Sequence, residues 1–225
     1  MKKLFSPGLT LDWKIAVLVV ASTLLLLIDF YQPMLVPWDK LAVAGRTIAP
    51  GWLAVPGKEL DRTLLYLVIP LLITLLVFRE NPARYGFTFG DWRTGLYLTL
   101  ASVILVAPIL LFVVQRSASM RTFYRPMLAG LPWTTFLNLF GWEFLFRGWL
   151  LFGFSRKFGP EALWLQAVPF ALAHVGKPEI ETLSTIFGGF AFGWVAWKTK
   201  SFFWPFLIHW FVSTFVILVA AGLHG

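Results

Sequence analysis

The sequence predicts an all-α integral membrane protein, a polytopic bundle of about seven or eight transmembrane helices. Of the 225 residues, 58% are hydrophobic and only 13% are charged, and the mean hydropathy is +0.75. A soluble domain carries about 25% charged residues, and half that share cannot cover a water-facing surface. Apolar stretches approaching the roughly 20 residues that cross a bilayer recur along the chain.

Seven such stretches follow one another. The first comes after the basic start Met1-Lys2-Lys3, but no small-x-small cleavage site follows it, so we expect an uncleaved anchor. The fifth and sixth are short for full spans, and we expect them to be tilted or partly buried in protein. The predicted spans are 13–31, 63–78, 95–114, 132–154, 161–175, 181–197 and 202–221.

The segments between the spans carry most of the charge. Residues 32–62 are predicted to form a loop with an interfacial segment at 48–55, and residues 115–130 are predicted to lie at the membrane interface. The net charge of +8 favours basic loops that face anionic headgroups rather than nucleic acid. Lys and Arg divide almost evenly between the two sides and leave the orientation open. We predict a multi-pass protein of a bacterial-type inner (cytoplasmic) membrane. Membrane lipid is one of its expected partners.

Besides the charged residues at the beginnings and ends of the spans, four ionisable residues stand out within the apolar stretches: Glu143, Arg147, His174 and His209. Keeping the acid and the guanidinium charged at mid-membrane costs roughly 5–7 kcal/mol before compensation. Such groups normally face the bundle interior or a hydrated cavity, which makes them candidates for a functional site. Glu143 and Arg147 are four residues apart and share one helix face, so a neutralising ion pair is the simpler interpretation for Arg147.

One carboxylate and two imidazoles support more than one chemistry. The carboxylate can act as a general base on water while histidines stabilise an oxyanion. Alternatively, Glu143, His174 and His209 bind a divalent metal such as zinc. The chain has no Cys, and neither H-E-x-x-H nor G-x-S-x-G occurs. Hydrated cavities with Glu and His also occur in proton-coupled transporters, so the residues alone leave hydrolase and transporter open.

Three short motifs in the last third of the chain resemble those of a known family. They are Trp142-Glu143-Phe144-Leu145-Phe146-Arg147-Gly148, Phe170-Ala171-Leu172-Ala173-His174 and His209-Trp210-Phe211-Val212-Ser213. The pattern resembles the CPBP family of type II CAAX prenyl proteases and bacteriocin-processing (Abi) proteins, with Glu-Glu-x-x-x-Arg, Phe-x-x-x-His and His-x-x-x-Asn/Asp. Gly189 and Gly193 in the sixth span also look like the family, but close helix packing alone is the preferred explanation for them.

The resemblance implies an intramembrane endopeptidase of the glutamate type. It implies that Glu143 and His174 activate a water molecule, that His209 and Ser213 stabilise the oxyanion, and that Arg147 anchors the motif helix. Two positions depart from the family pattern: Trp142 stands where the first Glu is expected, and Ser213 stands where Asn or Asp is expected. If Glu143 does not take over as base, the chain is catalytically altered.

We therefore expect one integral membrane unit with N-terminal membrane helices and interfacial loops at 1–130 and a catalytic four-helix core at 131–225. The expected substrate is a membrane-anchored or C-terminal protein tail, and no cofactor is expected. The alternatives are a non-proteolytic immunity or scaffold protein of the same fold, or a small proton-coupled transporter. Asn138 is expected to be structural. Glu181 is expected either to favour a helix N-terminus or to hold Lys177 at a cavity mouth.

Overall fold

A computed structural model describes residues 11–31, 35–36 and 57–223. Within these residues the chain is helical and contains no β-strand, as predicted. Seven helices correspond to the seven predicted stretches. The predicted interfacial segment at 48–55 and the basic start of the chain lie outside the described residues. The helices are α1 Trp13–Tyr31, α2 Gly57–Val77, α3 Trp92–Arg116, α4 at 133–158, α5 Ala162–Leu172, α6 Glu179–Thr199 and α7 Phe203–Ala220.

Four of these helices, α1, α2, α3 and α7, are long and apolar enough to cross a membrane. The number of spans and the bacterial-type inner membrane stay predictions. Most boundaries lie within three residues of those expected, and two differ by more. Helix α2 begins at Gly57, before its apolar stretch, and α4 continues to residue 158, because polar first and last turns extend both helices beyond their apolar parts. The interfacial segment after α3 contains a short helix, Ala118–Tyr124.

Side-chain caps define several helix ends. The Asp12 carboxylate accepts a hydrogen bond from the backbone N–H of Lys14 at the start of α1, and Asp91 accepts one from Thr94 at the start of α3. Ser117 ends α3 and caps the short helix through the N–H of Met120. These contacts satisfy N–H groups that have no partner within the helix.

Helix α4 lies at the centre of the bundle. Its middle, Phe144–Leu150, is π-helical, and all seven residues of that segment are buried. The largest apolar core packs around them and includes residues of α1, α2, α5 and α7, such as Leu18, Tyr66, Phe170 and Phe206. A π-helical segment inside an α-helix is rare and often marks a functional position. Here it begins directly after Glu143.

Helices α5 and α6 pack closely because glycines face the contact. A Cβ on Gly189 would lie 3.0 Å from the Cβ of Ala167, and one on Gly193 would lie 2.7 Å from Nε2 of Gln166. Gln166 uses the same amide to donate a hydrogen bond to the carbonyl of Gly189 at 2.8 Å. The packing interpretation of this Gly-x-x-x-Gly is confirmed.

Candidate functional site

A cavity of about 780 Å³ lies between α1, α2, α4, the loop after α5 and α7. A smaller lobe of about 410 Å³ adjoins it toward the short helix. The side chains of Trp142, His174 and His209 line the larger space, and Ser213 lines the smaller one. Both spaces are lined by Arg62, Phe123, Asn138, Leu139 and Lys177.

Glu143 is fully buried and contacts a histidine of α7 directly. Its Oε1 accepts a hydrogen bond from Nδ1 of His209 at 2.6 Å. Nη1 of Arg147 lies 3.1 Å from the same oxygen, so the predicted pair at i and i+4 is formed. Oε2 has no hydrogen-bond partner among the described residues. Glu143 does not line the cavity, and its contact with that space runs through His209.

Arg147 is held mainly by aromatic rings. Its Cζ lies 3.8 Å from the ring centroid of Phe170 and 5.3 Å from that of Phe192, both within cation–π range. In the described part of the chain, none of its three guanidinium nitrogens makes a well-aligned hydrogen bond. Its charge therefore depends on the Glu143 carboxylate and on the faces of these rings.

His174 lies in the turn that follows α5. Its Nδ1 donates a hydrogen bond to the carbonyl oxygen of Phe170 at 2.7 Å. A carbonyl oxygen can only accept, so the neutral ring carries its lone pair on Nε2. Nδ1 of His209 faces a carboxylate, which can only accept, so Nδ1 carries the hydrogen and the neutral form of this ring likewise has its lone pair on Nε2. Both imidazoles are almost fully buried, and both line the cavity.

Trp142 stands at the position of the family's first Glu. Its indole ring packs edge-on against Tyr66, with ring centroids 5.3 Å apart, and against His174, with centroids 5.9 Å apart. The indole Nε1 is buried and has no hydrogen-bond partner within the described residues. A carboxylate is thus replaced by an aromatic wall next to one of the two histidines.

The sequence reasoning missed a polar rim that the N-terminal helices contribute. Asp29 of α1 receives Lys58 at 2.8 Å and Nε of Arg62 at 3.3 Å, and all three side chains line the cavity. The available signal was the position of Asp29 directly after the apolar run of the first span. A carboxylate at that boundary is expected to seek a cationic partner.

A second polar contact lies beside the smaller lobe, which Tyr124 and Lys177 line. Glu181 binds Nζ of Lys177 at 2.9 Å and accepts a hydrogen bond from the Tyr124 hydroxyl at 2.5 Å. Both expectations for Glu181 are met, because it lies in the first turn of α6 and contacts Lys177 beside the cavity. Burial, assisted by the Glu181 carboxylate, raises the pKa of Tyr124 and keeps its hydroxyl a hydrogen-bond donor.

The metal-dependent alternative requires Glu143, His174 and His209 to converge on one ion. Among the described residues, no group of three or more His, Asp or Glu side chains is placed to hold an ion together. His209 directs Nδ1 at Glu143 itself, and His174 directs Nδ1 at a backbone carbonyl. The metal-dependent alternative built on Glu143, His174 and His209 stays an untested prediction.

Comparison with known proteins found one family model that matches the segment containing the site. The family model described as Type II CAAX prenyl endopeptidase Rce1-like matches residues 124–215. This segment is an Rce1-like domain. No curated protein and no solved structure matched the chain. The Rce1-like domain contains Glu143, Arg147, His174, His209 and Ser213, and the match confirms the resemblance inferred from the three motifs.

The family is one of CAAX-type intramembrane proteases, which act on membrane-anchored protein substrates. Together with the four apolar helices, the Rce1-like domain indicates an integral membrane protein. The roles of the individual site residues, the boundary between 1–130 and 131–225 and the absence of a cofactor stay predictions. Helices α1 and α2 lie outside the matched segment, yet they supply one wall of the cavity.

Proposed function

We propose that the protein is an intramembrane endopeptidase that hydrolyses one peptide bond in a membrane-anchored or C-terminal tail. The observation that carries the proposal is the 2.6 Å contact between Glu143 Oε1 and His209 Nδ1, beside a cavity that His174 also lines. A carboxylate that holds an imidazole by Nδ1 leaves Nε2 free as a base and stabilises the imidazolium that forms.

In this proposal Glu143 acts through His209. The family resemblance gave Glu143 a direct part in activating water, but its carboxylate does not line the cavity and its Oε1 is already engaged. In the proposed mechanism, a water molecule in the cavity would meet Nε2 of His209 and Nε2 of His174, because both imidazoles line that space. We assign the base role to His209, since it alone of the two has a carboxylate behind it, and we assign His174 to orient the water through its own lone pair.

The reaction then balances with the groups present. The water oxygen attacks the carbonyl carbon of the scissile peptide, and one water proton passes to Nε2 of His209. The C–N bond of the tetrahedral intermediate breaks, and the same proton moves to the departing nitrogen. The products are a new carboxyl terminus and a released amine. Arg147, whose Nη1 lies 3.1 Å from Oε1 of Glu143, holds this carboxylate in place.

The proposal can be tested on membranes from cells that express the chain and from cells that lack it. Mass spectrometry of protein C-termini would identify a tail that is cut only when the chain is present, and that tail then serves as substrate for the purified protein in proteoliposomes. We expect His209→Gln and His174→Gln each to lower the cleavage rate at least 100-fold, within the range lost with a general base.

The chain offers a matched control, because its third histidine, His224, is not among the predicted site residues. His224→Gln should cleave like the wild type, and all three variants should insert and unfold at wild-type temperatures. Full cleavage by His209→Gln and His174→Gln would refute the mechanism. If no tail depends on the chain at all, a non-proteolytic relative is favoured, consistent with an indole at position 142.

A further inference from the structure

The two imidazoles leave the proposed reaction without a donor for the developing oxyanion. Both Nδ1–H groups are used within the protein, one on Glu143 and one on the carbonyl of Phe170. Each neutral ring therefore presents a lone pair to the cavity, and a lone pair cannot stabilise negative charge on the substrate carbonyl oxygen. Acyl transfer gains most from preorganised N–H or O–H donors at that oxygen. The donor must come from another side chain.

Most polar groups around the cavity are ion-paired, buried away from the open space, or confined to the smaller lobe. The ammonium and guanidinium groups of Lys58, Arg62 and Lys177 are each ion-paired with a carboxylate. The indole N–H of Trp142 is buried away from the open space. Ser213, the donor that the family resemblance implies, lines only the smaller lobe.

Among the described residues, Asn138 combines a place in the cavity wall with an amide N–H that is available to a substrate. It lies on α4, is half-buried, and lines the larger cavity as well as the smaller lobe. Its amide donates no hydrogen bond to any residue that the structure describes. Asn138 and Trp142 are four residues apart and share the helix face toward the cavity. Glu143 is turned by about 100° from Trp142, toward α7.

We propose that Nδ2–H of Asn138 donates a hydrogen bond to the carbonyl oxygen of the scissile peptide and stabilises the oxyanion that forms there. This inference rests on the proposed function and assigns to α4 a catalytic donor that the family pattern would place on α7. The site would then contain both hydrogen-bond acceptors, the lone pairs of His174 and His209, and a hydrogen-bond donor, the amide N–H of Asn138. An amide is suited to this part because it stays neutral and donates without titrating.

Asn138→Asp is the sharpest test, since it keeps the shape of the side chain and replaces the donor with a carboxylate. With the purified protein in proteoliposomes and its identified tail substrate, we expect kcat to fall about 100-fold, as after removal of other oxyanion donors. KM should change less than about threefold, because the interaction strengthens only in the transition state. Asn138→Gln, which retains the amide, should recover part of the loss.

Thr135→Val is the matched control one turn earlier on α4. Its hydroxyl lines the smaller lobe but already donates to the carbonyl of Pro132, so cleavage should be unchanged. Wild-type kcat in Asn138→Asp, or a change confined to KM, would overturn the inference while the protease assignment stands. If the wild type cleaves no tail, the protease assignment and this inference fall together.

Discussion

Glu143 and Glu80 each meet an arginine, but the surroundings of the two carboxylates differ. Glu80 follows α2 at the edge of the bundle, where it receives Lys14 at 2.8 Å, Arg156 at 2.5 Å and the Tyr85 hydroxyl at 2.8 Å. Both of its oxygens have partners. Glu143 lies in the apolar interior with one oxygen shared and the other without a partner among the described residues.

This difference indicates that the Glu80 cluster is structural, whereas Glu143 belongs to a candidate functional site. At the edge, three donors from α1, the 80–85 segment and α4 join elements together, and water is available to any group left over. In the interior an incompletely satisfied carboxylate and guanidinium cost free energy. A fold retains such groups when another role requires them, and here the carboxylate orients His209 beside the cavity.

The largest expected effect follows from removing one charge of the interior pair. Glu143→Gln leaves the Arg147 charge buried without its counterion, which costs about 3–5 kcal/mol. We expect a large fall in Tm in detergent as well as loss of cleavage. Cleavage alone would not reveal which of the two effects is responsible.

The double variant Glu143→Gln/Arg147→Met separates the two effects. Removing both charges from an apolar site is often neutral or stabilising, so its Tm should return close to the wild-type value. Cleavage should stay absent, because His209 would lack the carboxylate behind it. A double variant that recovers Tm and also cleaves would show that the interior pair is structural, like the cluster around Glu80.

Much of this contrast could be predicted from the sequence. The apolar stretches predicted the existence and order of all seven helices, because a polar residue within a bilayer-length apolar run is costly, but not their polar first and last turns. The spacing of Glu143 and Arg147 gave their ion pair, since residues four apart share a helix face. Three motifs in order gave the family of residues 124–215.

The remainder depended on contacts between distant segments. No local pattern reveals that Asp29 and Arg62 meet at the cavity, because they belong to separate helices and their pairing is set by packing. The sequence also left open whether Glu143 faces the water or a histidine. Asn138 was expected to be structural, since an amide in an apolar helix more often bonds across helices than faces a cavity.

A smaller effect is expected where packing holds the interior cluster in place. Gly189 packs against Phe170. The ring of Phe170 contacts the Arg147 guanidinium, and its carbonyl oxygen accepts a hydrogen bond from His174. A Cβ there would lie 3.0 Å from the ring, so Gly189→Ala should cost about 1–3 kcal/mol by overpacking and lower cleavage too.

The neighbouring glycine provides the control for that substitution. A Cβ on Gly188 meets nothing within 4 Å, and Gly188→Ala should leave Tm unchanged or raise it slightly through helix propensity. Equal Tm values for the two variants would show that close α5–α6 packing does not support the cluster.

The smallest effect is expected at the edge cluster and depends on pH. Burial alone would raise the pKa of Glu80, but hydrogen bonds from Lys14, Arg156 and Tyr85 outweigh it and lower the pKa to about 2, from an ordinary value of 4.5. A carboxyl with a lowered pKa in the folded state stabilises the fold above pH 4.5, and this stabilisation is lost as the pH falls toward 2.

Glu80→Gln should therefore lower Tm slightly at pH 7, since each ion pair at the edge of the bundle contributes about 1 kcal/mol or less. It should also flatten the fall of Tm between pH 5 and pH 3. Glu179→Gln, at an exposed position on α6, should keep the wild-type profile. An unchanged profile in Glu80→Gln would mean that the edge carboxylate, despite its complete set of partners, does not contribute to joining α1 to α4.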